Sequence, residues 1–341
     1  MGTLEKEINP KANIKQRKDF KVLLLYPNLS MLFAPPLALA IFTTIYKSIG
    51  YKVDIFDTTP YVGDGATAME GQSLRDYEED EASKKIRSKL AKKNDVTFQI
   101  KSTEENMTEM LQSRPFSFED DLGVERKTGL HKDFVKKVNE FKPDFILCSV
   151  VEDTFLQAVN LISLVKHLNI PVCYGGVFIT AAPEVAIKYP EVELLCLGEG
   201  ENVVGELTER IRKKESYDDL PSLWIKKDDH NIKKNPRGHV VLDFMKIIPD
   251  YSLFDSKRFY RQMGGKNFKS VTIESYRGCP YTCAYCNSPM QTNKAKDEGI
   301  GVFLRRAKFH KYRDYLLKII ETVQPTYFMF ADDSFLARPK K

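Results

Sequence analysis

The stretch "FKVLLLYP" (20–27) is a short run of strand-forming apolar residues that ends at a proline. Such a run predicts a buried β-strand. The apolar segment at 35–49 follows and ends at Gly50, which predicts a helix with a glycine stop signal. The alternating stretch at 51–59 then predicts a second strand. The chain therefore begins its folded part as strand, helix, strand.

The same alternation returns after residue 130. Strands that alternate with helices predict a parallel sheet in a doubly wound α/β fold. Five such strands fit the flavodoxin-like order, in which ligands bind at the carboxyl ends of the strands. The further strands are predicted at 143–151, 170–176 and 192–201, and the further helices at 131–141, 153–168, 181–189 and 202–214.

These patterns divide the chain into parts. Residues 1–19 are polar and predict a mobile tail, and residues 20–214 form the α/β domain. Residues 60–130 break the alternation with a highly charged, mixed stretch, which predicts an insertion. Residues 215–265 are predicted to be a linker, and residues 266–341 begin a second domain.

The linker contains "LPSLWIKKDDHNIKKN", which predicts a hairpin around Asp228–Asn231. The second domain has a predicted strand at 269–276, a helix at 303–323 and a strand at 326–335 that ends in acidic residues. The strand at 269–276 ends just before Cys279.

Composition limits the possible classes of function. The 341 residues carry 52 basic and 47 acidic side chains, and a net charge of +5 over this length does not indicate nucleic-acid binding. No apolar run approaches the roughly 20 residues of a membrane span, and the N-terminus lacks a signal-peptide core. The expected location is the cytoplasm, where thiols stay reduced, so the six cysteines indicate metal binding or catalysis before disulfides.

Three of the cysteines lie close together in "SYRGCPYTCAYCNSP" (275–289), where Cys279, Cys283 and Cys286 have the spacing CxxxCxxC. Short loops of closely spaced thiolates hold iron–sulfur clusters, because the ligands must converge on several irons. The loop follows a predicted strand directly, so a cluster there would lie at the carboxyl end of that strand. The spacing favours an iron–sulfur site with three protein ligands.

Zinc is the alternative. Structural zinc sites use four ligands, usually in two separated pairs. The other cysteines lie far upstream, from Cys196 towards the N-terminus, and the nearest downstream imidazole is His310. A plain ferredoxin site would need a fourth cysteine, and none follows Cys286.

With these residues in view, the loop resembles the radical S-adenosylmethionine (SAM) superfamily, whose motif has an aromatic residue just before the last cysteine, here Tyr285. The resemblance implies a [4Fe–4S] cluster whose open iron is chelated by SAM, reductive cleavage to a 5′-deoxyadenosyl radical, and an electron donor such as flavodoxin or ferredoxin. It implies that 266–341 starts a partial (βα) barrel and that Tyr285 packs near the adenine. Asp332 or Asp333, in "FADDSF", would hold the amino group of SAM; the alternative is that they cap the following turn.

The α/β domain resembles the cobalamin-binding branch of that superfamily. The phrases that carry this resemblance are "YGGVFITAAPE" (174–184), "LGEGE" (197–201) and "PDYSLFD" (249–255). Glycines at a sheet edge let a bulky flat ligand approach the backbone. The implied cobalamin contacts are Ser149, Gly175, Gly176, Gly198 and Glu199. The first loop, "YPNLSMLFAPP", contains no histidine, so no histidine from that loop would ligate cobalt.

Other cysteines and histidines give weaker signals. Methylthiotransferases carry a second cluster on three N-terminal cysteines, but each of Cys148, Cys173 and Cys196 lies inside a predicted strand, which favours a role in the core. The upstream histidines, among them His239, show no ligand spacing.

The resemblance implies radical hydrogen abstraction followed by methylation or related group transfer on an unknown small-molecule or peptide substrate. It also implies more barrel than the two strands and one helix predicted after Phe268, so the chain is expected to be truncated at its C-terminus, to reconstitute iron poorly and not to turn over. The alternative is a non-enzymatic module that binds cobalamin or a small ligand and carries a vestigial or zinc-binding cysteine loop.

Overall fold

The structure is a computed structural model, and it describes residues 14–29, 35–62, 127–228, 230–263 and 266–335. Nearly all of the predicted insertion and most of the predicted N-terminal tail lie outside these ranges.

The predicted α/β fold is confirmed. The first sheet has seven strands in the order β2-β1-β3-β4-β5-β6-β7, and its first five strands are parallel in the flavodoxin-like order. Its strands are β1 (Lys21–Tyr26), β2 (Lys52–Asp57), β3 (Phe145–Ser149), β4 (Val172–Gly175), β5 (Leu194–Cys196), β6 (Leu223–Asp228) and β7 (Asn231–Lys234).

Helices cover both faces of this sheet. In β1, Val22 and Leu24 point into the core on one face, and Leu23 and Leu25 into the core on the other. Burial on both faces is why the strand is a continuous apolar run rather than an alternating one. The helices are α1 (Leu37–Ile49), α2 (Leu130–Phe141), α3 (Glu152–Val165), α4 (Val177–Ala181), α5 (Pro183–Ala186) and α6 (Val204–Lys213).

Two predicted elements differ from the observed ones near the sheet edge. The helix predicted at 181–189 is instead the pair α4 and α5, and Pro183 opens the second of them. The range 192–201 was predicted as a strand that runs into a Gly-rich turn; the strand covers only Leu194–Cys196, and Gly198, with a φ of +79°, lies in the turn. Both changes add loop at the carboxyl edge, where a ligand would bind.

The predicted hairpin is present, but it extends the sheet instead of lying in a linker. β6 pairs antiparallel with β5, with Trp224 opposite Leu195, and β7 pairs antiparallel with β6. The alternation of the hairpin was legible in the sequence. The strand that the hairpin pairs with could not be predicted, because the sequence contains no information on the register between β5 and β6.

The second sheet has the order β12-β9-β8 and carries the cysteine loop at its edge. The strand predicted at 269–276 stops at Ile273, and the next residues form a separate short ladder. The elements are β8 (Tyr260–Met263), β9 (Lys266–Ile273), β10 (Tyr276–Arg277), α7 (Ser288–Asp297), β11 (Arg305–Arg306), α8 (Phe309–Val323) and β12 (Tyr327–Phe330).

β9, α8 and β12 form a parallel βαβ unit, as the start of a (βα) barrel requires. α7 was not predicted from the sequence, because "SPMQTNKAKD" has no apolar periodicity. The helix predicted at 303–323 begins only at Phe309, since β11 occupies part of that range. None of the helices in the described ranges is both long and apolar enough to cross a membrane.

One hydrophobic core serves both sheets. Val271 and Ile273 of β9 belong to the same buried cluster as the inner residues of β1 and α1. The "PDYSLFD" segment bridges them: the Asp250 amide donates to the Ala40 carbonyl in α1, at 3.0 Å, and the Tyr251 hydroxyl donates to the Thr272 carbonyl in β9, at 2.6 Å. This segment therefore links α1, which packs on the first sheet, to β9 of the second.

The N-terminal end of the described chain is fixed by a buried carboxylate. Glu209 of α6 accepts hydrogen bonds from Arg212, at 2.7 Å, and Arg17, at 3.2 Å, and from the Tyr51 hydroxyl. The Arg212 contact is the largest cause that lowers the pKa of this carboxyl, and burial opposes it without cancelling it.

Replacing Glu209 by Gln should lower the free energy of unfolding at neutral pH by about 2 kcal/mol, because charged hydrogen bonds are lost. Since the folded pKa is depressed, the contribution of the carboxylate is complete above its unfolded value of about 4.3 and is lost as the pH falls below it. Urea unfolding should therefore show a smaller difference between wild type and Glu209→Gln near a pH of about 3.

The matched control is Glu206→Gln, whose side chain is exposed on the same helix. We expect it to change stability by less than about 0.5 kcal/mol. An equal difference between wild type and Glu209→Gln at both pH values would show that the carboxylate charge is not what stabilises this contact.

Candidate active site between the two sheets

A cavity of about 490 Å³ lies between the carboxyl edge of the first sheet and the loops of the second. Cys148, Gly278 and Asp333 line it together with apolar side chains of α1. All five residues predicted as cobalamin contacts also line it: Ser149, Gly175, Gly176, Gly198 and Glu199. The fold thus brings the predicted cobalamin contacts to one cavity with Asp333 and Gly278, whereas Cys279, Cys283 and Cys286 are not among its lining residues.

The two adjacent glycines of "YGG" differ in whether the backbone geometry requires a glycine. Gly176 has a φ of +109°, and a Cβ there would lie 2.3 Å from the Val150 carbonyl oxygen, so the fold itself requires glycine. A Cβ on Gly175 would meet the Cys196 carbonyl oxygen at 3.6 Å, an ordinary contact. Packing therefore does not demand glycine at 175, and its bare backbone leaves room for a flat ligand.

Thr180 of α4 ties the two glycine loops together. Its hydroxyl donates to the Gly176 carbonyl, at 3.0 Å, and accepts from the Gly198 amide, at 2.9 Å. Sequence reasoning missed this residue, although a hydroxyl four residues after Gly176 at the start of a helix was a usable signal. The loops after β4 and β5 are consequently held in one fixed arrangement beside Ser149.

Glu199 lines the cavity and is also held by several protein donors. Its carboxylate accepts hydrogen bonds from Arg305, at 2.5 and 2.8 Å, from Arg277, at 3.2 Å, and from the Val241 amide, at 2.5 Å. Burial favours the neutral acid, but these arginines and the amide outweigh it, and the pKa of Glu199 is lowered. Its oxygens are engaged by protein donors.

Arg277 is the centre of this buried ion network. Its guanidinium contacts Glu199 at 3.2 Å, Glu201 at 2.8 Å and Glu274 at 2.7 Å, and it lies 4.9 Å from the centre of the Phe244 ring. Burial raises the pKa of Glu274, while Arg277 opposes that change. Arg277 lies two positions before Cys279, so these ion pairs join "LGEGE" of the first domain to the start of the cysteine loop.

The cysteine loop leaves the network through a constrained turn. Gly278 has a φ of +87°, and a Cβ there would lie 2.9 Å from the Phe303 carbonyl oxygen, so a glycine is required. Beyond it, Cys279 and Cys283 are half-buried and Cys286 is exposed.

Within the described residues, no three His, Cys, Asp or Glu side chains form a group arranged to hold a metal ion. The donor set still suits an iron–sulfur cluster, because it consists of three accessible thiols on one short loop. Ligation by Cys279, Cys283 and Cys286 therefore stays a prediction. Tyr285 is 93% exposed and is not among the cavity-lining residues, so its predicted contact with adenine also stays a prediction.

The two neighbouring aspartates differ in their hydrogen-bond partners and in their access to the cavity. Asp332 accepts from the Ser275 amide and hydroxyl, both at 2.6 Å, and from the Tyr276 amide, at 3.1 Å, so it fixes the ends of β9 and β12. Asp333 lines the cavity, and burial raises its pKa, while a hydrogen bond from the Gly278 amide opposes the rise. Of the two, Asp333 is the carboxylate available to a ligand.

The upstream cysteines are core residues, as favoured from the sequence. Cys148, Cys173 and Cys196 are each buried within a strand, and burial raises the pKa of all three thiols. The segment after β7 also lines the cavity, and among its residues are Arg237, which sequence analysis missed, and His239, which it set aside for lack of ligand spacing. The Nδ1 atom of His239 lies 3.2 Å from the Ile300 carbonyl oxygen.

Comparison with known proteins agrees with this arrangement. Residues 109–208 match the B12 binding domain family. A protein of Pyrococcus horikoshii described as "Uncharacterized methyltransferase PH0819" is 24% identical over 214 residues, which cover 61% of this chain and 44% of that protein.

Two solved structures share the fold. The radical SAM methyltransferase TsrM from Kitasatospora setae, solved with cobalamin and a [4Fe–4S] cluster, matches with a TM-score of 0.54 at 16% identity over 92% of this chain and 48% of its own. The cobalamin-dependent SAM radical enzyme OxsB, solved with aqua-cobalamin and SAM, matches with a TM-score of 0.57 at 15% identity over 94% of this chain and 35% of its own.

The chain thus spans less than half of each of these proteins. The matches confirm the resemblance predicted from the sequence: the fold is that of the cobalamin-dependent radical SAM enzymes.

The glycine pair gives a direct test of the local geometry. We expect Gly176→Ala to lower the free energy of unfolding by at least about 2 kcal/mol, because a side chain would combine an unfavourable φ with a backbone clash. Gly175→Ala, the matched control one residue away, should change it by less than about 1 kcal/mol. Equal effects in urea unfolding would contradict the distinction between the two glycines.

The ion network gives a second test. Arg277→Gln leaves buried carboxylates without their shared cation, and we expect a loss of about 3–5 kcal/mol in the free energy of unfolding. The control is Arg313→Gln, which removes an exposed arginine paired only with Asp314 and should cost less than about 1 kcal/mol. Similar values for both variants in urea unfolding would refute a central role for Arg277.

Proposed function

We propose that this chain forms the cofactor-binding part of a cobalamin-dependent radical SAM enzyme that carries out methylation or a related group transfer. The observation that carries the proposal is one shared cavity. It is lined by the glycine backbone at the edge of the predicted B12-binding domain and by Arg277 and Gly278, which directly precede the cysteine loop. Similarity to a methyltransferase and to TsrM supports the reaction class. The substrate class is a small molecule or a peptide.

The residues present fit both cofactors. The backbone at Gly175 offers the cavity a surface without side chains, and the three accessible thiols of the cysteine loop, which do not line the cavity, offer soft ligands. When bound, a [4Fe–4S] cluster with SAM would supply one-electron cleavage of the sulfonium, and cobalamin would supply a methyl carrier. Three thiolates would leave one iron without a protein ligand.

The remaining tasks fall to side chains of the cavity. Asp333 lines the cavity and would accept a charge-assisted hydrogen bond from an ammonium group. Ile41 and Phe42 of α1 form part of an apolar wall that excludes water. Arg277 would hold the start of the cysteine loop at a fixed position relative to the glycine loops.

The proposal also includes a location and an electron source. Thiolate ligands and a reducible cluster need a reducing compartment, so we propose the cytoplasm, with a flavodoxin or ferredoxin as donor. The alternative function is a non-enzymatic module that binds cobalamin or a small ligand. The exposed Cys286 and Tyr285, which lie apart from the cavity lining, favour that alternative.

Anaerobic reconstitution with iron and sulfide tests the cluster. We expect iron binding that depends on the loop cysteines, with about four atoms per chain as the upper limit for one complete cluster, and a charge-transfer absorbance band that Cys283→Ala removes. The control is Cys173→Ala, which removes a thiol from a strand in the core and should leave iron binding unchanged. Iron that stays bound in Cys283→Ala at the wild-type level would contradict ligation by the loop.

Titration with hydroxocobalamin separates the two functions. A chain that binds both the corrinoid and the cluster supports the enzyme, and formation of 5′-deoxyadenosine from SAM and reductant would establish radical chemistry. Corrinoid binding without any cysteine-dependent iron would leave the binding module as the function. Failure to bind either cofactor would refute both.

A further inference from the structure

The cavity contains a buried cation that the proposed function has not used. Arg237 lies in "PRGHV" (236–240), the segment that follows β7, and only 7% of its side chain is exposed. Its Cδ atom would lie 3.8 Å from a Cβ placed on Gly198. The guanidinium therefore runs along the turn after β5, on the side of the cavity that belongs to the predicted B12-binding domain.

Two nitrogens of this guanidinium are held from one side. Nε donates to Glu298, at 2.5 Å, and Nη1 donates to the Gln291 side-chain oxygen, at 3.3 Å. Gln291 belongs to α7, and Glu298 directly follows that helix. Both partners position the planar group and leave its third nitrogen directed elsewhere.

That third nitrogen, Nη2, is buried and has no hydrogen-bond partner among the residues that the structure describes. An arginine side chain stays protonated in proteins, so Nη2 keeps two donors whatever the pH. A buried donor without an acceptor is unfavourable and rare in folded proteins. The residue lines an open cavity, so a bound molecule is the natural source of an acceptor.

The other buried arginines near this cavity, Arg277 and Arg305, have acceptors for all of their guanidinium nitrogens. Arg277 is surrounded by three carboxylates. Arg305 donates to both oxygens of Glu199 and to the backbone carbonyls of Phe303 and Val241. Neither keeps a buried nitrogen without an acceptor, so the free donor of Arg237 is a local property of this position.

We propose that Arg237 forms an oxyanion subsite of the cavity, in which Nη2 donates to a phosphate or carboxylate oxygen of the bound molecule. The inference rests on the proposed function, which places two oxyanion-bearing molecules there: cobalamin, through the phosphodiester of its nucleotide tail, and SAM, through its carboxylate. The position beside Gly198, on the corrinoid side, favours the phosphodiester. A guanidinium suits either group, because its planar N–H donors match oxyanion geometry.

The test compares two corrinoids in binding titrations. Dicyanocobinamide has the corrin ring of cobalamin but lacks the phosphodiester and nucleotide base. For Arg237→Gln we expect hydroxocobalamin to bind about tenfold more weakly, or worse, and dicyanocobinamide to bind within about twofold of wild type. Arg237→Lys keeps the charge and loses the planar guanidinium. Its affinity for hydroxocobalamin should lie between that of wild type and that of Arg237→Gln.

A third titration, with SAM, distinguishes the sources of the oxyanion. If Arg237→Gln weakens SAM by about tenfold and leaves hydroxocobalamin unchanged, the carboxylate is the group bound, and the subsite stands. Equal weakening of both corrinoids, or no change in any of the three ligands, would overturn it.

Two controls keep the result interpretable. Arg313→Gln removes an exposed arginine of α8, and all three affinities should stay at the wild-type level. Glu298, which loses its partner in Arg237→Gln, has 38% of its side chain exposed and remains hydrated, so the variant should keep the wild-type thermal transition. If wild type binds no corrinoid and no SAM, the proposed function fails and takes the subsite with it; if wild type binds and Arg237→Gln binds equally well, only the subsite fails.

Discussion

The placement of one guanidinium between three buried carboxylates decides how the two halves of this molecule meet. Arg277 comes from the short strand before the cysteines, and Glu199 and Glu201 come from the loop after β5. A buried cation and buried anions are costly apart and acceptable only together, so the loops that carry them are forced into one geometry. This contact joins the two loop clusters that line the cavity, and Arg305 adds a second cation beside Glu199.

Sequence periodicity predicted the first five strands of the first sheet, because burial on both faces leaves a continuous apolar run such as that of β1. It missed α7, whose buried residues are Ser288, Gln291 and Ala295, since polar and small side chains carry no hydrophobic period. It also placed the hairpin in a linker, because pairing between β5 and β6 is a long-range contact. The sequence therefore predicts local elements from their patterns, but it does not predict which distant strands pair with each other.

The candidate site shows the same division at the level of single residues. Gly175 and Gly176 look equivalent in the sequence, as do Asp332 and Asp333. Only backbone geometry separates the glycine that folding requires from the one that leaves open space, and only hydrogen bonding to Ser275 separates the structural aspartate from the available one. Arg237 carried no motif at all, and its interest depends on a nitrogen that the fold buries without an acceptor.

The core that runs without interruption from β1 to β9 bears on how such proteins could be recombined. Side chains of both sheets and of the "PDYSLFD" segment belong to one buried cluster, with Tyr251 fastened to the Thr272 carbonyl. A chimaera cut after α6 would expose apolar surface on both fragments and split the acids of "LGEGE" from Arg277. The inheritable module is therefore the pair of sheets with the segment between them, so exchange of the first sheet and its helices between relatives would require matching replacements in the residues that contact the second sheet.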